Sequence, residues 1–193
     1  MKGNKSYQLT EYLRVRPITI ADTDLIVTWR NRDFVRNNFI FREPFTAQMH
    51  RNWMETKVDP GLVEQFIIEY CMNEKGDKGI CKEDQGLRFI PVGSVYLRDV
   101  DYAEKQAEYG IFLGEEWAQG KGIGNQAARW AVWYAKEVLQ LDTLILRVFA
   151  DNERALKSYQ QAGFVPIETI KDFLADGEKN RDLVFMKIVL KEK

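Results

Sequence analysis

A short glycine-rich segment, Gln119 to Gly124, carries the most specific chemical signal in the sequence. It reads Gln-Gly-Lys-Gly-Ile-Gly and stands directly before a run of residues with helical periodicity. Successive backbone N–H groups at the start of a helix form a cradle for phosphate oxygens, and glycines let a ligand approach the backbone closely. The segment therefore indicates a phosphate-containing ligand, although a glycine-rich turn before a helix is often only a turn.

Two common nucleotide-binding motifs do not fit this segment. A P-loop needs a Gly-Lys pair followed by Ser or Thr to hold magnesium, but Gly122 follows Lys121. A Rossmann dinucleotide site needs the spacing G-x-G-x-x-G within a βαβ unit, and Gly124 comes too early for it. Nucleotide hydrolysis and dinucleotide binding are therefore disfavoured.

The neighbouring elements place the glycine-rich segment between a strand and a long helix. Residues Glu108 to Leu113 alternate in the manner of a strand. From Gly122 to Leu139, apolar residues recur at intervals of three and four, which predicts an amphipathic helix. A strand at Thr143 to Phe149 comes next, and Asn152 then caps a short helix that ends at Gly163, where a left-handed residue belongs.

The remaining patterns complete one mixed α/β arrangement. Strands are predicted at Leu13 to Pro17, Val63 to Cys71, Phe89 to Val100 and Leu183 to Leu190, and helices are predicted to begin near Thr23 and at Thr46. The charged, glycine-containing segment from Met72 to Arg88 is too long for a tight hairpin and is predicted to be a loop insertion. The order β-α-α-β-β-β-α-β-α-β-β predicts a mixed sheet with helices on its faces.

Composition narrows the class of protein further. The 193 residues suit one domain, and the 28 basic and 29 acidic residues lack the basic excess of a nucleic-acid binder. Two cysteines and one histidine are too few for a disulfide scaffold or a four-ligand zinc site, so we expect reduced thiols and no metal. The chain shows no apolar run of the ~20 residues that span a bilayer and no signal-peptide pattern, so we expect a cytoplasmic protein with no membrane partner.

Two sequence blocks together resemble the GNAT (GCN5-related) N-acetyltransferases. Gln119 to Gly124 matches the family's Q/R-x-x-G-x-G/A signature, and Asn152, Ala155, Tyr159 and Gly163-Phe164 complete its N-x-x-A-x-x-x-Y-x-x-x-G-F block. The resemblance implies one GNAT domain over residues 1–193, with acetyl-CoA as cosubstrate and no metal. It also implies a central, twisted, mostly antiparallel sheet of about six to seven strands flanked by about four helices.

Within the family, different segments resemble different branches. Arg14 to Pro17 and Glu108 to Ile111 are similar to ribosomal-protein alanine and spermidine acetyltransferases, whereas Trp29-Arg30-Asn31 is similar to acetyltransferases of nucleotide-linked amino sugars. Two features depart from the family pattern. The turn Gly114 to Ala118 lacks the usual proline and is one residue longer, and Arg147 stands where some members carry a glutamate base.

The resemblance also implies which residues contact the coenzyme. Backbone N–H groups are expected to bind the pyrophosphate, and they belong to Gln119, Gly120, Lys121, Gly122, Ile123 and Gly124. Main-chain groups near Phe112 and Leu113 are expected to hold the pantetheine arm and polarise the thioester carbonyl. Asn152 is a candidate for a further coenzyme contact, and it is equally suited to be only a helix N-cap.

Four other residues are candidates for catalysis or acceptor binding. Tyr159 is expected to be the general acid, with a core aromatic as the alternative. Glu108 is a candidate base or a ligand for a cationic substrate, unless it is an ordinary solvated carboxylate. Arg30 and Asn31 are expected to line the acceptor pocket rather than form a solvated helix end, and His50 is expected to be structural.

The sequence leaves the acetyl acceptor open. A small-molecule amine or an amino-sugar nucleotide is favoured, and phosphate-pairing groups such as Arg30 or Arg36 would suit the latter. A protein N-terminus or side-chain amine is the first alternative, and a catalytically silent acetyl-CoA-binding module is the second. A monomer or a homodimer is expected.

Overall fold

A computed structural model describes residues 5–72, 88–176 and 179–191, which form one mixed sheet with helices on both faces. In chain order, the elements are β1 (Tyr7–Thr10), β2 (Leu13–Pro17), α1 (Thr23–Asn31), α2 (Asp33–Arg36), α3 (Ala47–Trp53), β3 (Val63–Met72), β4 (Arg88–Asp101), β5 (Gln106–Leu113), α4 (Ile123–Trp133), β6 (Thr143–Phe149), α5 (Glu153–Gln161), β7 (Val165–Asp176) and β8 (Lys179–Val189). Helices α3 and α4 each continue into a π-helical turn, at Met54–Val58 and Tyr134–Val138.

The sheet confirms the predicted fold class. Its strand order is β1-β2-β3-β4-β5-β6-β8-β7, and every neighbouring pair is antiparallel except β5 and β6. Within the described residues there are eight strands and five helices, slightly more than predicted. The missed elements are β1 and α2, of four residues each. Segments this short hold too few residues to display a period.

The parallel pair β5 and β6 separates partway along its length. Its register runs only from Gln106 opposite Thr143 to Glu108 opposite Ile145. Beyond that point β5 stays paired with β4 as far as Leu113, while β6 stays paired with β8 as far as Phe149. The edge of β5 that faces β6 is therefore without a partner strand over its last five described residues, and a cleft opens between the two strands.

Two hydrophobic clusters cover the two faces of the sheet. The larger cluster packs α4 and α5 on one face through residues such as Ile123, Trp130 and Tyr159. The smaller cluster packs α1 to α3 on the other face through Ile26, Trp29 and Val35, against Phe112 of β5. Because side chains of a strand alternate between faces, Glu108 lies on the same face as Phe112, and Tyr109 lies on the opposite one.

The helix caps that the local sequence predicts are confirmed. The Thr46 hydroxyl accepts a hydrogen bond from the Met49 N–H (3.2 Å) at the start of α3, and the Asn152 side chain accepts one from the Ala155 N–H (3.2 Å) at the start of α5. Gly163 follows α5 with a φ of +100°. A glycine is required there because side chains disfavour this left-handed conformation.

Three further expectations concern the segment after β3, the cysteines and the membrane. The predicted insertion between Met72 and Arg88 falls outside the described residues, apart from its two ends in β3 and β4. The expectation of reduced thiols is wrong for Cys71, which is disulfide-bonded at the buried end of β3. Among the described helices, none has the length and apolar character needed to cross a membrane.

Candidate active site

The cleft between β5 and β6 opens into a cavity of about 740 Å³ that gathers most of the predicted site residues. Its walls include Arg30, Glu108, Phe112, Leu113, Gln119, Gly120, Gly122, Ile123, Gly124, Asn152 and Tyr159. Within the described parts of the chain, the predicted residues that do not line it are Asn31 and Lys121. Among the described residues, six buried side-chain polar atoms have no hydrogen-bond partner, and five of them belong to residues of this cavity. Such atoms are rare in folded proteins, so their clustering here indicates a binding site for a polar ligand.

The glycine-rich segment has the backbone geometry that its sequence suggests. Gly120 and Gly122 both adopt left-handed conformations, with φ of +77° and +76°. A Cβ built at Gly122 meets no atom within 4 Å, so the space beside the start of α4 is open. The N–H groups of the first turn of α4 lack intrahelical partners and can bind an anion there.

Helix α5 contributes two residues to this region that the sequence analysis missed. Arg154 donates a hydrogen bond to the Gln119 side chain (Nη1 to Oε1, 2.7 Å), which places its guanidinium beside Gly120. The Ser158 hydroxyl is buried without a partner and lies 3.8 Å from a Cβ built at Gly124. Both residues lie on the cavity side of α5, four positions apart. This helical spacing, next to Tyr159, could have identified them from the sequence as residues of the same face.

Asn152 uses both ends of its side-chain amide within the protein. Its oxygen caps α5 at the Ala155 N–H, and its Nδ2 donates to Asn38 Oδ1 at 2.9 Å. The N-cap role is confirmed. The second bond connects the start of α5 to the segment that follows α2, and both residues line the cavity.

Tyr159 is 9% exposed and borders the cavity from the α5 side. Its ring packs edge-on against Tyr109, with ring centroids 5.7 Å apart, and against Phe164 at 6.3 Å. No hydrogen bond joins its hydroxyl to another described residue. Burial raises the pKa of the Tyr159 phenol well above its usual value, so the group is protonated at neutral pH.

Glu108 lies between two arginines on the opposite face of β5. Arg98 Nη2 donates to Glu108 Oε1 at 2.6 Å, and Arg147 donates to both carboxylate oxygens at 3.1 and 3.0 Å. The Glu108 side chain is 15% exposed. Arg147, whose position departs from the family pattern, therefore serves as an ion-pair partner of this carboxylate.

The turn between β5 and α4 is fixed by α1. A side chain at Gly114 would overlap the Trp29 ring, and the Trp29 indole donates to Glu115 (Nε1 to Oε1, 2.8 Å). Arg32 donates to the other oxygen of the same carboxylate at 2.8 Å. The turn without proline is thus held in place by side chains from outside it.

Arg30 and Asn31 are adjacent in sequence but lie in different surroundings. The Arg30 side chain lines the cavity beside Phe39 and Phe45. The Asn31 side chain donates to the carbonyl oxygens of Val27 (2.9 Å) and Phe45 (2.8 Å) and accepts from the Phe45 N–H (2.8 Å). Asn31 therefore fixes the segment that carries Phe45.

His50 lines the cavity and contacts Thr23 of α1, so its structural role remains a prediction. The Thr23 hydroxyl donates to the Ile20 carbonyl oxygen (2.7 Å), so the 2.9 Å contact with His50 must be donated by Nδ1–H. This leaves Nε2 as a buried atom without a partner. Burial lowers the pKa of His50, because the charged form of the ring loses solvation inside the protein.

Comparison with known proteins places the chain in a family. A sequence model described as an acetyltransferase (GNAT) domain matches residues 12–165. The chain belongs to this family of GNAT acetyltransferases. It is therefore an N-acetyltransferase whose acetyl donor is acetyl-CoA.

Several curated relatives have more specific descriptions. The acetyltransferase PseH of Campylobacter jejuni strain 81-176 is 36% identical over 152 residues, which cover 79% of this chain and 82% of that protein. The spermidine N(1)-acetyltransferase of Escherichia coli K12 is 28% identical over 133 residues, covering 68% of this chain and 69% of that protein. A solved structure of spermidine N-acetyltransferase from Vibrio cholerae, in complex with CoA and spermine, has a TM-score of 0.77. Its 19% identity over 94% of this chain and 97% of that one shows the shared fold.

Proposed function

We propose that the protein transfers an acetyl group from acetyl-CoA to the primary amine of a small acceptor, a small-molecule amine or an amino-sugar nucleotide. The observation that carries the proposal is the convergence of three features on one cavity. These are the glycine-rich segment before α4, the free edge of β5 and the Tyr159 phenol.

The coenzyme fits between the two ends of this cavity. Its pyrophosphate would lie against the N–H groups of Gln119 to Gly124, with Arg154 and Ser158 beside it. The pantetheine arm would run along the free edge of β5 near Phe112 and Leu113, where backbone groups have no partner strand. A β5 N–H at the thioester carbonyl would stabilise the oxyanion that forms during transfer.

The chemical step then follows from the groups in the cavity. The neutral amine attacks the thioester carbon, forming a C–N bond. The C–S bond breaks as the tetrahedral intermediate collapses, the amine nitrogen releases a proton, and the thiolate sulfur gains one. Tyr159 donates that proton and is then reprotonated from solvent. Burial raises the pKa of the phenol, so the group stays protonated until the thiolate forms.

Glu108 is not a free base in this reaction. Each carboxylate oxygen is already bonded to an arginine, so taking up a proton would break ion pairs with Arg98 and Arg147. We therefore assign Glu108 to holding these two arginines in position. The proton of the amine leaves through solvent in the open cleft.

The cover over the cavity supports a small acceptor. Residues 38–41 follow α2 and line the cavity, and Asn38 is hydrogen-bonded to Asn152, which lines it as well. Arg181 of β8 donates to the Asn37 carbonyl oxygen at 2.6 Å and pairs with Asp151. A peptide acceptor needs a longer groove than a small amine does, and these bonds hold the segment after α2 at the cavity wall, which favours the smaller acceptor.

The test is release of coenzyme A thiol across amines of different classes. Polyamines, amino sugars with and without a nucleotide or phosphate, and short peptides are compared at equal concentration. We expect transfer to at least one small acceptor and little to peptides. Preferred transfer to peptides would contradict the small-acceptor assignment. Tight acetyl-CoA binding without turnover on any amine would instead identify a silent binding module.

A further inference from the structure

Arg30 is a cation in the cavity that the described residues leave without a counter-charge. Its guanidinium carbon lies 3.4 Å from the centroid of the Phe39 ring and 5.0 Å from that of Phe45. Within the described parts of the chain, it has no hydrogen bond and no carboxylate partner, and its Nε is buried without an acceptor. Such a group needs a counter-charge from elsewhere, because burying an unpaired charge is costly.

The packing around Arg30 determines which of its surfaces can bind a ligand. The two phenylalanine rings offset part of the desolvation cost through contact with the faces of the guanidinium. Its N–H groups lie at the edge of the guanidinium plane and have no acceptor among the described residues. Burial and the nearby Arg98 lower the pKa of Arg30 to about 10, which keeps the group charged at neutral pH.

The charged side chains around Arg30 are mainly positive. Three arginines, Arg30, Arg98 and Arg147, line this part of the cavity, and Glu108 is the one carboxylate among the described lining residues. Because Glu108 is bonded to both Arg98 and Arg147, it is not available to Arg30. A polyamine would bring its positive charges into this surplus of positive charge, whereas an anion would reduce it.

We propose that the acetyl acceptor is a primary amine that also carries an anionic group, a phosphate or a carboxylate, and that Arg30 binds this group. The proposal rests on the acetyltransferase function above and specifies its substrate class. A guanidinium with a free edge binds two oxygens of a phosphate or carboxylate side by side. Asn31 supports this arrangement by fixing the backbone of Phe45, which packs against Arg30.

Matched acceptor pairs test the charge requirement. Glucosamine is compared with glucosamine 6-phosphate, ethanolamine with phosphoethanolamine, and glycinamide with glycine, with spermidine as the polycation. We expect the charged member of at least one pair to have a kcat/KM at least ~10-fold higher than its neutral partner, and higher than spermidine. The phosphate and carboxylate pairs distinguish the two anions. Equal rates within every pair, or a preference for spermidine, would overturn the proposal.

Variants assign the preference to Arg30. Arg30→Gln should raise KM for the anionic acceptor about 10-fold or more and bring its kcat/KM close to that of the neutral partner, because one charged contact is lost. Arg30→Lys should recover part of the preference. The control is Arg36→Gln. Arg36 was the other candidate for phosphate pairing from the sequence, but it pairs with Asp33 at 2.7 Å and does not line the cavity. A preference that survives in Arg30→Gln would refute the assignment.

A binding measurement separates this proposal from the activity on which it rests. Inorganic phosphate is titrated by calorimetry into protein saturated with CoA, so that the coenzyme site is occupied. We expect Arg30→Gln to bind phosphate at least ~10-fold more weakly than wild type and Arg36→Gln to match wild type. Arg30-dependent phosphate binding without any turnover would refute the proposed acetyltransferase function but not the anion site. Turnover without Arg30-dependent phosphate binding or a charge preference would refute the proposed substrate class but not the acetyltransferase function.

Discussion

The Tyr159 hydroxyl is the single group on which the proposed proton transfer depends. The ring packs against Tyr109 and Phe164, while the hydroxyl bonds to no other described residue. Tyr159→Phe therefore removes the proton and leaves the packing intact. We expect kcat to fall about 10²-fold or more, with acetyl-CoA affinity and Tm nearly unchanged.

A second buried tyrosine provides the control for this prediction. Tyr134 lies in the same hydrophobic cluster outside the cavity, and its hydroxyl donates to Glu64 at 3.3 Å. Tyr134→Phe should lower Tm slightly and leave kcat unchanged, the reverse of Tyr159→Phe. If Tyr159→Phe turned over at the wild-type rate but melted earlier, Tyr159 would be a packing residue.

His50 makes the stability of the protein depend on pH in a defined direction. It is the chain's single histidine and is 1% exposed, and burial lowers its pKa. The unfolded chain, with a histidine pKa near ~6.5, binds more protons than the folded one just below that pH. The contribution of His50 to the free energy of unfolding should therefore be at its full value above about pH 6.5. It should decrease as the pH falls toward the lower pKa of the folded state.

Urea unfolding at pH 7.5 and 5.5 measures this effect. His50→Asn keeps an N–H donor near the Thr23 hydroxyl but does not titrate in this range. We expect the variant to be less stable at pH 7.5 and to lose less stability than wild type on acidification. Parallel pH profiles for the two proteins would mean that the decline has another origin.

At the scale of elements, the start of α4 is the part of the proposed coenzyme site where a substitution should prevent binding without disturbing the fold. Gly122 is a poor position for this test because its φ of +76° would strain any side chain. Gly124 lies in the first turn of α4, where a Cβ has room. A glutamate there suits the helix N-terminus but introduces a negative charge facing the pyrophosphate site.

Gly124→Glu should therefore weaken acetyl-CoA binding by about 10²-fold or more without lowering Tm, because it adds repulsion at the site of the anion. Calorimetry and thermal melting measure the two quantities. Gln126→Glu adds the same charge to the same helical turn, but its side chain lies outside the cavity, so its affinity should stay near wild type. Unchanged affinity in Gly124→Glu would place the coenzyme elsewhere.

Elements with local signals could be predicted from the sequence, and contacts between distant elements could not. The caps at Thr46, Asn152 and Gly163 are encoded within a few residues. The partners of Glu108 are not, because Arg98 and Arg147 come from β4 and β6 and meet it only through strand register. From the sequence, Arg147 is only a departure from the family pattern. Its role as an ion-pair partner of Glu108 is seen only once β4, β5 and β6 are placed side by side.

At the scale of the whole molecule, charge is distributed unevenly. The chain carries 28 basic and 29 acidic residues, so its net charge gives no hint of an anionic ligand. Among the described residues that line the cavity, five are basic and one is acidic; they are Arg30, Arg98, Arg147, Arg154 and Lys157, with Glu108. A cleft lined mainly by one sign of charge attracts ligands of the opposite sign over a distance set by the salt concentration.

This distribution predicts that coenzyme capture depends on ionic strength. We expect kcat/KM for acetyl-CoA to fall about 3- to 10-fold as salt rises from about 20 to 300 mM, since screening weakens the attraction between the cleft and the coenzyme phosphates. Arg154→Gln should reduce both the low-salt rate and its salt dependence, because Arg154 lies beside the glycine-rich segment. Arg129→Gln changes the net charge equally on an exposed position of α4 outside the cavity, so its salt profile should follow wild type. Identical profiles for the two variants would show that the net charge of the chain, and not the charge of the cleft, governs coenzyme capture.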